Sequence, residues 1–159
     1  RCRECQLISL ELKIPPLALL AMVAISIWGL SVLLPSGQVD FPGVHWVAAI
    51  LGGAGLLIPL CGVLAFNRAR TTVDPRFPAQ SVQLIQTGVY QFSRNPMYLG
   101  FLLLLTGWTF YLGNGAGFLL LPLFVLYLNR FQIEPEERIL LEKFGAPYRD
   151  YLNDVRRWI

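Results

Sequence analysis

Three long stretches of this chain carry no charge at all, and they decide what it can fold into. Ile14 to Val39, Phe41 to Asn67 and Asn95 to Asn129 contain no Asp, Glu, Lys or Arg. A helix crossing the hydrocarbon of a bilayer needs about 20 largely apolar residues. Only helices and closed barrels satisfy their own backbone there. The first two stretches each hold one such helix. Over the whole chain, 55% of the 159 residues are hydrophobic and 14% are charged, against about a quarter charged in an average soluble domain. The chain reads as an all-α, integral membrane protein.

Span one is expected over Pro16 to Leu34, closed by Pro35-Ser36-Gly37, and span two over Val44 to Phe66, after Phe41-Pro42-Gly43. The first apolar stretch is too long for a signal-peptide core, and Pro15-Pro16 suits the start of a lasting helix. Arg1 to Ser9, which open without a Met, are treated as a processed or non-native segment. Span two holds Gly52, Gly53, Gly55 and Gly62 with Pro59 among them. Small residues there let a neighbouring helix approach closely; a nucleotide-binding glycine loop would need a preceding strand, for which there is no room. The third stretch would make a helix about 50 Å long, too long for one crossing. Gly113-Asn114-Gly115-Ala116-Gly117 breaks it, which predicts a short helical hairpin over Met97 to Leu112 and Ala116 to Phe131. The expected architecture is four transmembrane helices, the last two a short hairpin, followed by a helical cytoplasmic or interfacial tail. Residues 1–80 supply two transmembrane helices and the start of a cytoplasmic loop, and residues 81–159 supply the motif region of one integrated membrane domain.

All 13 Lys and Arg fall on one side of this topology, and the opposite loops offer only Asp40. The positive-inside rule then puts both termini in the cytoplasm, and a bacterial inner membrane is the expected location. The basic residues serve topology and do not signal nucleic acid. Three cysteines are too few for a disulfide framework, and the Cys2/Cys5 pair lacks a second pair of ligands. His45 stands alone at the start of span two. No metal site is expected. The tail is read as one helix from Glu134, with Pro135 in its first turn and Phe144-Gly145 closing it. A second, amphipathic piece is read from Pro147 to Trp158, its Tyr148, Tyr151 and Trp158 placed at the membrane interface.

Two clusters meet at the cytoplasmic boundary of this arrangement. One is Gly88-Val89-Tyr90-Gln91-Phe92-Ser93-Arg94-Asn95-Pro96-Met97-Tyr98-Leu99-Gly100; the other is Glu134-Pro135-Glu136-Glu137-Arg138, leading to Phe144-Gly145-Ala146-Pro147-Tyr148. Each alone has a structural explanation: Arg94 as a topology anchor, Tyr90 and Tyr98 in the aromatic belt, Glu136 and Glu137 on the helix dipole. The hairpin, however, brings the start of span three to the end of span four, so that Arg94 and Glu136 can meet.

In this order, and separated by a hairpin, the two motifs resemble the isoprenylcysteine carboxyl methyltransferase and phospholipid methyltransferase families over about Ser81 to Ile159. That resemblance implies S-adenosylmethionine as cofactor, a pocket facing the cytoplasm, and a lipid or lipophilic acceptor arriving from the bilayer. Val82, Gln83, Leu84, Ile85, Tyr90, Asn95, Pro96, Met97 and Tyr98 match cofactor-contacting positions. Glu136 matches the acidic cofactor ligand, Glu137 completes the pair, and Arg94 and Glu136 are expected to carry the chemistry. The cofactor's groups suit these residues: guanidinium for carboxylate, carboxylate for ammonium or ribose diol, aromatic faces for sulfonium. Two departures stand out. Asn95 replaces the usual His, and Gln132 stands where the carboxyl methyltransferases have an arginine, with Arg130 nearby but on another face. Gln132 and Arg130 are assigned to the acceptor side, and prenylcysteine is disfavoured. With no candidate base, the acceptor should already be nucleophilic, or an amine deprotonated by solvent. A sterol-reductase-like enzyme using NADPH and a non-enzymatic membrane scaffold are the alternatives.

Overall fold

Proline sets where the apolar helices begin. In the computed structural model, which describes residues 11–34, 39–68 and 84–159, α1 (Pro16–Leu33) and α3 (Pro96–Leu112) both start on a proline in the first turn, where its missing N–H costs nothing. Helix α2 spans Val44–Arg68. Among the described residues, three helices are long and apolar enough to cross a membrane: Pro16–Leu33, Val44–Ala65 and the composite rod Gly115–Phe144. Helix α3, at 17 residues, is about 26 Å long. That falls short of a hydrocarbon core of about 30 Å, so this arm of the expected short hairpin is not among the helices long enough to cross. Apolar side chains such as Leu17, Ile25 and Trp28 of α1 and Trp46, Ile50 and Leu57 of α2 point outward, as suits helices with lipid for solvent.

Helices α2 and α3 pack backbone to backbone. A Cβ added at Gly55 would lie 2.7 Å from the Leu104 nitrogen, and one at Gly107 would lie 2.9 Å from the Ala48 oxygen. Pro59 has no N–H for the Gly55 carbonyl one turn back, and that carbonyl faces Gly100, whose missing side chain makes the approach possible. The hairpin forms as its residues predict. Gly113 adopts the left-handed conformation (φ 63°), the Asn114 side chain accepts from the Ala116 N–H at 2.9 Å, and its amide donates to the Leu34 carbonyl at 2.6 Å. Trp108 ties α3 to α1 through a bond to the Ala24 carbonyl at 3.1 Å.

The second arm departs from the sequence reading. It does not stop at Phe131: a 3-10 turn (Gly115–Leu119), α4 (Leu120–Leu128), a π turn (Asn129–Ile133) and α5 (Glu134–Phe144) follow without a break. The Glu134 N–H reaches back five residues to the Asn129 carbonyl, so the register slips by one residue just before Pro135. The Phe131 carbonyl, which an ordinary residue at 135 would have satisfied, accepts instead from the Leu12 N–H at 3.0 Å. Glu136 and Glu137 therefore lie inside a continuous rod, and no free helix N-terminus accounts for them. The tail also differs. Helix α6 is Ala146–Asp154, ending before Trp158, and Tyr148 and Tyr151 are buried rather than interfacial.

Candidate functional site

The Arg94 motif is shaped by a tight turn leading into α3. A 3-10 turn over Gly88–Gln91 buries Tyr90, and Gly62 of α2 lies against the Tyr90 hydroxyl and Met97. The buried Ser93 hydroxyl accepts from the Asn95 N–H at 3.1 Å. Asn95 precedes α3 without capping it; its side-chain amide donates to the Arg157 carbonyl at 3.0 Å. Pro96 and Tyr98 are buried in the first turn of α3.

Across the hairpin, α5 presents two adjacent carboxylates that meet different partners. The Tyr98 hydroxyl donates to Glu136 Oε1, joining the start of α3 to α5. Glu137 is gripped at two points by Arg157, Nη2 to Oε2 at 2.6 Å and Nε to Oε1 at 3.3 Å. Arg94 Nη1 stands 3.5 Å from the same Oε1. The Arg94 Nε is buried and has no hydrogen-bond partner among the described residues. The Arg94–Glu136 meeting expected from the hairpin takes this form: both residues join one cluster, but the direct ion pair of Arg94 is with Glu137.

The C-terminal segment closes over this cluster. The Arg94 N–H donates to the Arg156 carbonyl at 3.1 Å, Tyr151 Oη to the Tyr90 carbonyl at 2.7 Å, and Trp158 Nε1 to Asn129 Oδ1 at 3.0 Å. Burial is the main cause that raises the hydroxyl pKa of Tyr90 and of Tyr148; nearby Tyr151 and Glu136 add to the first, and Glu137 to the second. Burial likewise pushes Tyr151 up to about 12, against the opposing pull of Arg94. All three remain protonated hydrogen-bond donors at neutral pH. None is a base.

Other expected residues are placed as follows. Leu84 and Ile85 are half-buried in the irregular segment before the 3-10 turn, while Val82 and Gln83 lie outside the described residues, as do Cys2 and Cys5. Gln132 is fully buried in the π turn, with Nε2 donating to the Ile14 carbonyl at 2.7 Å and Oε1 without a partner among the described residues. Arg130 is exposed and pairs with Glu134 at 3.1 Å and Glu11 at 3.9 Å, away from the Tyr98–Glu136 contact. His45 lies beside the Tyr111 ring, near the opposite end of α3. No group of three potential metal ligands occurs among the described residues. Arg157 is the participant that motif reading missed; its only sequence signal is a basic pair beside Trp158, which suits a membrane interface equally well.

Comparison with known proteins agrees with the motif resemblance. The profile of the phospholipid methyltransferase family matches residues 44–147. An uncharacterized protein of Haemophilus influenzae is 49% identical over 63 residues, covering 40% of this chain and 100% of that protein. The protein-S-isoprenylcysteine O-methyltransferase of Saccharomyces cerevisiae is 41% identical over 75 residues, 45% of this chain. The match spans only 30% of the length of the yeast enzyme. No solved structure matches significantly.

Proposed function

The chain belongs to the phospholipid methyltransferase family, and from that premise we propose that it transfers a methyl group from S-adenosylmethionine to a lipid or lipophilic acceptor at the cytoplasmic face of the membrane. The observation that carries this reading is that the two ends of one hairpin meet through two contacts, Arg94 with Glu137 and Tyr98 with Glu136. The residues fit the cofactor's chemistry. Arg94 has a buried donor still to be used, matching a carboxylate. Tyr98 fixes one oxygen of Glu136, and a carboxyl group oriented in this way matches an ammonium or a ribose hydroxyl. The rings of Tyr90 and Tyr98 offer faces that tolerate a sulfonium.

The cofactor supplies an electrophilic methyl group, and the chain's part is to hold and orient. Bringing an acceptor to about 3–3.5 Å from the methyl carbon, in line and away from water, supplies much of the rate advantage. The raised tyrosines stay protonated at neutral pH and serve as hydrogen-bond donors. Gln132 is the acceptor-side candidate, being buried with an oxygen that has no partner among the described residues; Arg130 is occupied by Glu134 and Glu11. The one-sided Lys and Arg support cytoplasmic termini.

The test is Glu136→Gln in lipid nanodiscs, assayed by adenosylhomocysteine binding and by labelled methyl transfer into a total lipid extract. Loss of both activities with retained folding is expected. Unchanged binding would remove Glu136 from the site.

A further inference from the structure

We infer that Arg157 is a positioning residue of the cofactor site: by gripping Glu137 it leaves Arg94 available to an incoming anion, the cofactor carboxylate. The inference rests on the methyltransferase reading above. It concerns a residue beyond the 44–147 segment that the family profile matches.

Two guanidiniums share one carboxylate in this cluster. Arg157 takes the stronger part, with contacts of 2.6 and 3.3 Å to the two oxygens of Glu137. Arg94 keeps a single longer contact of 3.5 Å. A two-point guanidinium–carboxylate fork is the stronger geometry, so the charge of Glu137 is answered mainly by Arg157. Arg94 remains under-satisfied where it can least afford to be: its side chain is 13% exposed and its Nε is buried without a partner among the described residues. An unpaired buried charged donor is costly, and an anion seated there would relieve that cost. The cluster of Arg94, Arg157 and Glu137 carries one net positive charge, the sign such a ligand requires.

The backbone holds Arg157 in register for this task. Its carbonyl accepts from the Asn95 amide at 3.0 Å and the Ser93 hydroxyl at 3.5 Å, and the preceding carbonyl accepts from the Arg94 N–H. The next residue, Trp158, bonds Asn129 in the π turn. The segment is thus tied to both arms of the hairpin, and the Arg157 guanidinium reaches α5 between them.

The experiment uses the full chain in nanodiscs and two ligands, adenosylhomocysteine and its decarboxylated analogue, which keeps the nucleoside and the ammonium. Arg157→Ala should weaken adenosylhomocysteine about tenfold or more, the scale of a charge-assisted bond. It should leave the decarboxylated analogue within about twofold, the scatter expected when no such bond is lost. Arg157→Lys, which keeps charge but loses the fork, should fall between. Adding Glu137→Gln to Arg157→Ala should restore adenosylhomocysteine binding, because no carboxylate then competes for Arg94. Equal weakening of both ligands, or no rescue by Glu137→Gln, would make Arg157 a structural latch and overturn the inference. Wild-type protein that binds neither ligand would instead refute the methyltransferase reading, and the inference with it.

Discussion

Replacing Tyr98 by Phe removes one oxygen and almost nothing else. The ring stays buried in the first turn of α3, beside Phe101 at a centroid distance of 6.3 Å, so packing should survive. What disappears is the donor to Glu136 Oε1. A hydrogen bond of this kind contributes about 0.5–1.5 kcal/mol. If all of it serves to orient Glu136 for the cofactor, the adenosylhomocysteine Kd should rise by roughly 2–13-fold. The same bond joins α3 to α5, so some of the loss should appear without ligand, as a fall in Tm of about 2–4 °C for each kcal/mol in a chain of this size. Calorimetric titration in nanodiscs, paired with thermal unfolding of the ligand-free protein, separates the two. A Kd within twofold of wild type alongside a lowered Tm would assign the bond to the fold alone. The argument for a prearranged Glu136 would then be wrong.

Gly107→Val should be strongly damaging at this buried position, since its Cβ would lie 2.9 Å from the Ala48 oxygen and from the Gly52 nitrogen. Backbone atoms cannot step aside as a side chain can, and the α2–α3 pair should lose about 3 kcal/mol or more; a lowered unfolding midpoint checks this, and an unchanged one would contradict the close approach. The tyrosines predict an alkaline limit to stability. With Tyr151 at about 12 in the fold against 10.0 as its ordinary value, the unfolded chain releases that proton first. The contribution is complete below about pH 10 and is lost as pH climbs toward about 12. Tyr151→Phe should make the unfolding midpoint less steeply dependent on pH across that window, and an unaltered slope would count against its burial.

The parts of the fold that were legible in the sequence depend on short-range chemistry. Uncharged length gave the helices, Pro16 and Pro96 their starts, and Gly113 with Asn114 the hairpin turn. The π turn was not legible, because nothing in Asn129–Ile133 demands it locally. It is a settlement between Pro135, which withholds a donor, and Leu12, which arrives from more than a hundred residues away to supply one. One extra residue in a turn rotates everything beyond it by about 100°, so the facing of Glu136 and Glu137 followed from that distant contact. Arg157 was hidden for a similar reason. Its meaning depends on the chain turning back after α6, and a basic pair beside a tryptophan suits a membrane surface just as well.

The different treatment of two neighbouring carboxylates is the strongest argument for a site here. If Glu136 and Glu137 served only to stabilise α5, pairing both with arginine would have been the simple solution, and two arginines are present. Instead both guanidiniums contact Glu137, while the bond to Glu136 comes from the neutral hydroxyl of Tyr98. A neutral donor orients the carboxyl group of Glu136 without supplying a countercharge, which leaves that part to a cationic ligand. Glu137 acts as a brace, and the surplus positive charge around it can answer an anion. An amino-acid ligand carries both charges on one carbon. The arrangement offers it a negative place and a positive place at consecutive positions of one helix, with Tyr98 and Arg157 deciding which carboxylate is which.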